Sequence, residues 1–93
     1  MSISTRISSV VTVVLTPAAR DDLEQLSNPM HGRVLKLLVR LEHWPDVSGA
    51  KPLRGELAGR YRLRTGDYRI QFLVAGSVVT VEKIGHRDGF YGD

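Results

Sequence analysis

The chain has 93 residues, of which 42% are hydrophobic and 25% charged, a composition typical of one small globular domain. It contains no cysteine, which excludes disulfides, thiolate-bound metals and cysteine nucleophiles. The formal net charge is +3, and no segment approaches the roughly 20 apolar residues of a membrane helix. We therefore expect a cytoplasmic protein that does not enter the membrane.

The start of the chain predicts a flexible lead-in, a strand and a short helix. Residues 1–9 are serine-rich and aperiodic, so we expect a flexible lead-in followed by a single domain over residues 10–93. Residues 10–15 are dominated by valine and threonine and predict a strand that is buried on both faces. Thr16 followed by Pro17 is typical of a helix N-terminus, and apolar residues at helical spacing predict a short first helix.

A second and longer helix starts near Asn28 and Pro29, which repeat the capping signal. Its apolar stripe consists of Met30, Val34, Leu37, Leu38 and Leu41. Only about two or three residues separate the two helices, so they should form an antiparallel hairpin. The joined apolar faces of such a hairpin need another layer to cover them.

The second half of the chain predicts strands. Proline and glycine mark a loop over residues 45–59. Residues 60–64 alternate strictly, which predicts a strand with its tyrosine and leucine toward the core and its three arginines on the opposite face. Residues 68–74 and 77–84 continue as two further strands across short turns.

The element order β-α-α-β-β-β predicts an α+β fold. The N-terminal helical hairpin should pack on one face of a four-stranded, mainly antiparallel sheet, which the first strand joins because no other partner exists for it. The arginine-bearing face of this sheet is then left open.

The positive charge is concentrated between Lys51 and Arg69, where six basic residues accompany two acidic ones, while the rest of the chain sums to −1. Ten of the thirteen basic residues are arginines, whose planar fork of donors suits phosphate. A polyanionic partner is one interpretation. On charge alone, a solvated surface explains the cluster equally well.

The chemical inventory favours reactions without a metal or cofactor. The three histidines lie 12 and 43 residues apart without a carboxylate at ligand spacing, so we expect no metal site. There is no phosphate-binding glycine loop and no serine elbow. His86 and Tyr91 are candidates for proton transfer, and RNA can be cleaved without metal when cations stabilise the attack of a 2′-hydroxyl on phosphorus. The candidate cations are Lys51, Arg54, Arg64 and Arg87.

Three segments resemble the RelE/ParE superfamily of toxins from bacterial toxin–antitoxin pairs. They are residues 16–23, residues 51–70, and residues 84–87 together with Tyr91, and the similarity extends over about residues 10–91. The resemblance implies the RelE-like fold and a protein that arrests growth until a cognate antitoxin neutralises it. The target would be messenger RNA in the ribosomal A site or, alternatively, DNA gyrase. The last segment resembles the RelE-like nucleases more than the ParE-like gyrase inhibitors.

The resemblance also implies roles for individual residues. Arg64 and Arg87 would stabilise the pentacoordinate phosphate of a ribosome-dependent messenger RNA endonuclease, and Tyr91 or His86 would act as the general base. The basic residues implied in binding RNA phosphates are Lys51, Arg54, Arg60 and Arg62. A net charge of only +3 is low for such a nuclease. It leaves a gyrase inhibitor, or an inactive domain that binds only its antitoxin, as alternatives.

Overall fold

The helical hairpin packs on one face of a mixed sheet in the computed structural model, which describes residues 11–90. In chain order the elements are β1 Thr12–Leu15, α1 Pro17–Glu24, α2 Asn28–Leu41, β2 Lys51–Pro52, a 3-10 turn Gly55–Leu57, β3 Arg60–Thr65, β4 Tyr68–Ala75, β5 Val78–His86 and α3 Arg87–Phe90. The strand order is β1-β5-β4-β3-β2, with β1 parallel to β5 and every other pair antiparallel. The predicted α+β class and mainly antiparallel sheet are confirmed.

Both long helices begin with a proline in the first turn, because a proline there gives up an N–H that has no partner within the helix. Thr16 caps α1 as predicted, since its Oγ1 accepts a hydrogen bond from the Ala19 N–H at 3.1 Å. Asn28 was predicted as the cap of α2, but Ser27 occupies that position without a side-chain hydrogen bond. The prediction was wrong by one residue because proline is tolerated at more than one position of the first turn.

The hydrophobic core lies between the helices and the sheet. Its buried residues are Ala19, Val34, Leu37, Leu38, Leu41, Leu63, Ile70, Phe72, Val79, Val81 and Ile84. The rings of Trp44 and Tyr61 pack against Phe72, with centroids 5.3 and 5.7 Å from it. These contacts provide β3 and β4 with a packed support beneath the opposite, open face of the sheet.

The prediction that the first strand is buried on both faces is wrong. Thr12 and Val14 are exposed, whereas Val13 and Leu15 are half-buried. The hairpin covers only one face of the sheet, so the alternate side chains of β1 face outward despite being β-branched or hydrophobic.

The sheet has five strands instead of the predicted four. Two residues within the predicted loop over 45–59 form β2, in which Lys51 pairs with Arg62 and Pro52 with Tyr61. A two-residue strand is too short to show alternation, and proline is tolerated there because β2 is at the edge of the sheet. β5 also continues to His86, beyond the predicted end at residue 84.

No helix within residues 11–90 is long and apolar enough to cross a bilayer. The predicted lead-in over residues 1–9 and the candidate base Tyr91 lie outside the described residues.

Candidate functional site

The open face of the sheet carries arginines at matched positions on two strands. Alternation in β3 places Arg62 and Arg64 opposite the core-facing Leu63. In the β3–β4 pairing, Arg64 lies directly across from Arg69, and Arg62 lies across from Gln71. Cross-strand partners share a face of the sheet, so the guanidinium groups of Arg64 and Arg69 are brought to the same side. Like charges in such pairs repel, which makes this position suited to an anion.

These arginines line a half-open cavity of about 90 Å³. Its walls are formed by Gly49, Lys51, Arg62, Arg64 and Arg69. Lys51 reaches the cavity because β2 pairs it with Arg62. The residues that line the cavity therefore contribute four positive charges and no carboxylate. This arrangement can bind a phosphate group through several charge-assisted hydrogen bonds.

The structure adds Arg69 to the candidates predicted from the sequence. The short β3–β4 turn indicates this position of Arg69 in the sequence. Only two residues separate β3 from β4, and Thr65 pairs with Tyr68. The next pair along the two strands is then Arg64 with Arg69. Arg54, in contrast, is exposed before the 3-10 turn and is not a lining residue of the cavity.

Arg60 shares the open face but is held by a carboxylate. Its Nε lies 2.7 Å from Glu82 Oε1 and its Nη2 lies 3.1 Å from Oε2, so the ion pair is bidentate. Gln71 Nε2 lies 3.5 Å from the same Oε1. The hydrogen bond and the charge of Glu82 both raise the pKa of Arg60 above its ordinary value. Arg60 is therefore already bound to an anionic group of the protein itself.

His86 lies on the other side of the sheet from Arg64 and Arg69. It pairs with Tyr68 in the register that places Ile84 opposite Ile70, and both isoleucines are buried in the core. Its ring contacts the Tyr68 ring edge-to-face, with a centroid distance of 5.3 Å. His86 Nδ1 accepts a hydrogen bond from the Asp88 N–H at 3.1 Å. The imidazole thus stabilises the first turn of α3.

Arg87 is brought to the end of the sheet where the arginine pair lies. Its backbone N–H donates to the carbonyl of Asp67 at 2.7 Å, which ties the start of α3 to the β3–β4 turn. Its side chain is exposed, with Nε 3.7 Å from Asp88 Oδ1. The elements carrying Arg64, Arg69 and Arg87 therefore converge at one end of the sheet.

Within residues 11–90, no group of three or more histidine, cysteine, aspartate or glutamate side chains is arranged to hold a metal ion. On the open face of the described sheet, most of the charged groups are the guanidinium groups of arginines.

Fold and cavity together define a small α+β protein with an anion-attracting sheet face. Residues 13–89 match the family model of the ParE toxin of type II toxin–antitoxin systems, parDE. The chain belongs to this family and is a toxin of a toxin–antitoxin pair. The sequence prediction of a RelE/ParE superfamily member is confirmed.

Solved structures of RelE-type toxins share this fold. A chain of the RelBE2 toxin–antitoxin complex of Mycobacterium tuberculosis is 32% identical, with a TM-score of 0.73 over 84% of this chain and 92% of that chain. The isolated RelE toxin of E. coli is 22% identical, with a TM-score of 0.70 over 82% and 83% of the two chains. The YoeB dimer of Staphylococcus aureus is 18% identical, with a TM-score of 0.67 over 82% and 95%. No curated protein sequence matches this chain significantly.

Proposed function

We propose that this toxin is a metal-independent endoribonuclease that cleaves messenger RNA on the ribosome, and that a cognate antitoxin neutralises it. The observation that carries the proposal is the cavity lined by Lys51, Arg62, Arg64 and Arg69. Its cationic side chains suit the singly charged phosphodiester groups of an RNA strand. Similarity to a chain of the RelBE2 toxin–antitoxin complex supports an antitoxin as the partner.

The proposed reaction needs only the RNA, side chains of the protein and solvent water. The 2′-hydroxyl oxygen attacks the adjacent phosphorus and gives its proton to a general base. The bond from phosphorus to the 5′-oxygen of the next nucleotide breaks, and that oxygen takes up a proton from a general acid or water. Charge builds on the non-bridging oxygens, where Arg64, Arg69 and Arg87 would stabilise the pentacoordinate phosphate.

The general base is proposed to be Tyr91 or His86, and the contacts of His86 favour Tyr91. The imidazole ring lies on the helix side of the sheet, and its Nδ1 is already hydrogen-bonded to the Asp88 N–H. A tyrosine has an ordinary pKa of about 10, so neighbouring cations would have to lower it for this role. Lys51, Arg54 and Arg62 would bind RNA phosphates, in the cavity or beside it.

A second candidate function is inhibition of DNA gyrase without cleavage. The observation that favours it is the match to the ParE family model over residues 13–89. The cationic face would then serve as a docking surface, and no pentacoordinate phosphate would need to be stabilised.

The two functions are separated by adding the purified toxin to a reconstituted translation reaction with one defined messenger and mapping cuts by primer extension. We expect cuts within A-site codons that disappear without ribosomes. Arg64→Ala should abolish them, with a loss of roughly 10²–10³-fold for one stabilising group. The matched control is Arg20→Ala, which removes an exposed arginine from α1 and should cleave normally.

Intact messenger in the presence of folded wild-type toxin would contradict the nuclease proposal. Inhibition of gyrase supercoiling by the same preparation would then establish the second candidate. Cleavage that survives Arg64→Ala would contradict the assigned role of the cavity.

A further inference from the structure

Glu82 carries a negative charge within the sheet. Among the residues that the structure assigns to strands, it is the only aspartate or glutamate. It lies at an irregularity of the β4–β5 pairing, where Gln71 pairs with Lys83 but Phe72 pairs with Val81. Glu82 is therefore the extra residue of a β-bulge, and its carboxylate projects beside the arginine face. Bulges commonly redirect one side chain in this way.

The carboxylate binds Arg60 in the geometry that a phosphate would use. Both oxygens are engaged, at 2.7 and 3.1 Å, and a guanidinium fork accepts carboxylate or phosphate in the same bidentate manner. The side chains of Arg60 and Glu82 are only 27% and 23% exposed. A partner fixed within the same sheet competes with any incoming phosphate for this guanidinium.

We propose that Glu82 withholds Arg60 from RNA and so keeps this arginine out of the phosphate-binding surface. This inference rests on the proposed binding of RNA to the open face. Arg60 and Arg62 lie on the same side of β3, about 7 Å apart along the strand. Arg60 does not line the cavity, so a released Arg60 would contact a neighbouring phosphate of the same RNA strand.

The first test measures how RNA binding depends on salt. A fluorescent single-stranded RNA oligonucleotide is titrated with the full chain and its variants at several salt concentrations. Glu82→Gln keeps the shape of the side chain but removes its charge, so Arg60 gains a phosphate contact. The slope of log affinity against log salt should become steeper by about 0.7.

Two variants control this measurement. Glu24→Gln makes the same change of charge at an exposed position on α1, in the helix layer, and should leave the slope unchanged. Adding Arg60→Gln to Glu82→Gln should restore the wild-type slope. Equal slopes for Glu82→Gln and Glu24→Gln, or a shallower slope for Arg60→Gln in the otherwise wild-type chain, would overturn the inference. Thermal unfolding establishes that each variant is folded.

A second test is independent of RNA. The Nε–H signal of Arg60 is followed by nitrogen-15 NMR during titration with inorganic pyrophosphate. We expect the signal to shift in Glu82→Gln and to stay in place in the wild type. Equal shifts in both proteins would refute the role of Glu82. If no variant bound RNA but this difference held, the nuclease proposal would fail while the control of Arg60 by Glu82 would stand.

Discussion

Replacing Arg64 by glutamine should make the folded toxin more stable while removing its proposed activity. Arg64 and Arg69 are direct cross-strand partners, and Lys51 and Arg62 line the same cavity. Like charges in such a pair destabilise a sheet by roughly 0.2–1 kcal/mol. Because the Arg64 side chain is exposed, solvent screens part of this repulsion, and we expect a gain of about 0.5 kcal/mol. In a domain of this size, the Tm should rise by about 2–4 °C.

The assay is thermal unfolding followed by circular dichroism at low and high salt. At about 0.01 M salt the Debye length is roughly 30 Å, and the full difference in Tm between Arg64→Gln and the wild type should appear. At about 1 M salt the Debye length is roughly 3 Å, and this difference in Tm should vanish. With inorganic phosphate present, the wild type should have the higher Tm, because an anion bound in the cavity stabilises it. The stabilisation is RT ln(1 + [L]/Kd), about 2.7 kcal/mol when the phosphate concentration is a hundred times Kd. Glutamine at this position weakens that site.

Arg20→Gln is the matched control, since it makes the same change of charge on the exposed side of α1. It should change the Tm little and leave the response to phosphate intact. If Arg64→Gln melted at or below the wild-type temperature in low salt, repulsion between Arg64 and Arg69 would not destabilise the sheet. An equal rise in Arg20→Gln would assign the effect to net charge rather than to the cavity.

Two further predictions follow from local hydrogen bonds. Thr16→Ala should lower the free energy of unfolding by about 1 kcal/mol in urea titrations, because the Ala19 N–H loses its capping oxygen. Thr16→Ser, which keeps the hydroxyl, should lose much less, and equal losses would contradict the capping role. His86→Asn should keep messenger cleavage, because the amide oxygen can accept the Asp88 N–H as Nδ1 does. If the cleavage rate of the folded variant fell by about 10²–10⁴-fold, the usual loss on removing a general base, His86 would instead be the general base.

Much of the cationic face could be predicted from the sequence because alternation is a local property. The strict pattern of residues 60–64 was enough to place Arg62 and Arg64 on the side away from Leu63, which the structure confirms. Lys51 reaches the cavity through a two-residue strand, which has no periodicity to detect. Its position depends on tertiary pairing with β3, and no local pattern reports such pairing.

The Glu82–Arg60 ion pair was not predictable for a different reason. Strict alternation from Val79 and Val81 would place Lys83 toward the core and move Ile84 out of it. The bulge adds one residue to β5 and restores Ile84 to the core, where it is 4% exposed. A single sequence does not indicate where a bulge lies. The partner of Arg60 therefore depends on the pairing of β4 with β5, which local sequence patterns do not predict.

The position of β5 in the sheet determines when the toxin can finish folding. β5 lies between β1 and β4, and Thr12 of the first strand pairs with Val78 of the last. During synthesis β1 and the helical hairpin emerge early, yet β1 has no strand to pair with until β5 has been made. Contacts this distant in sequence slow folding because a long loop must close before they form. The residues that line the cavity all precede β5, but the strand that joins β1 to the rest of the sheet is made after them, so the complete sheet forms only once β5 has been added.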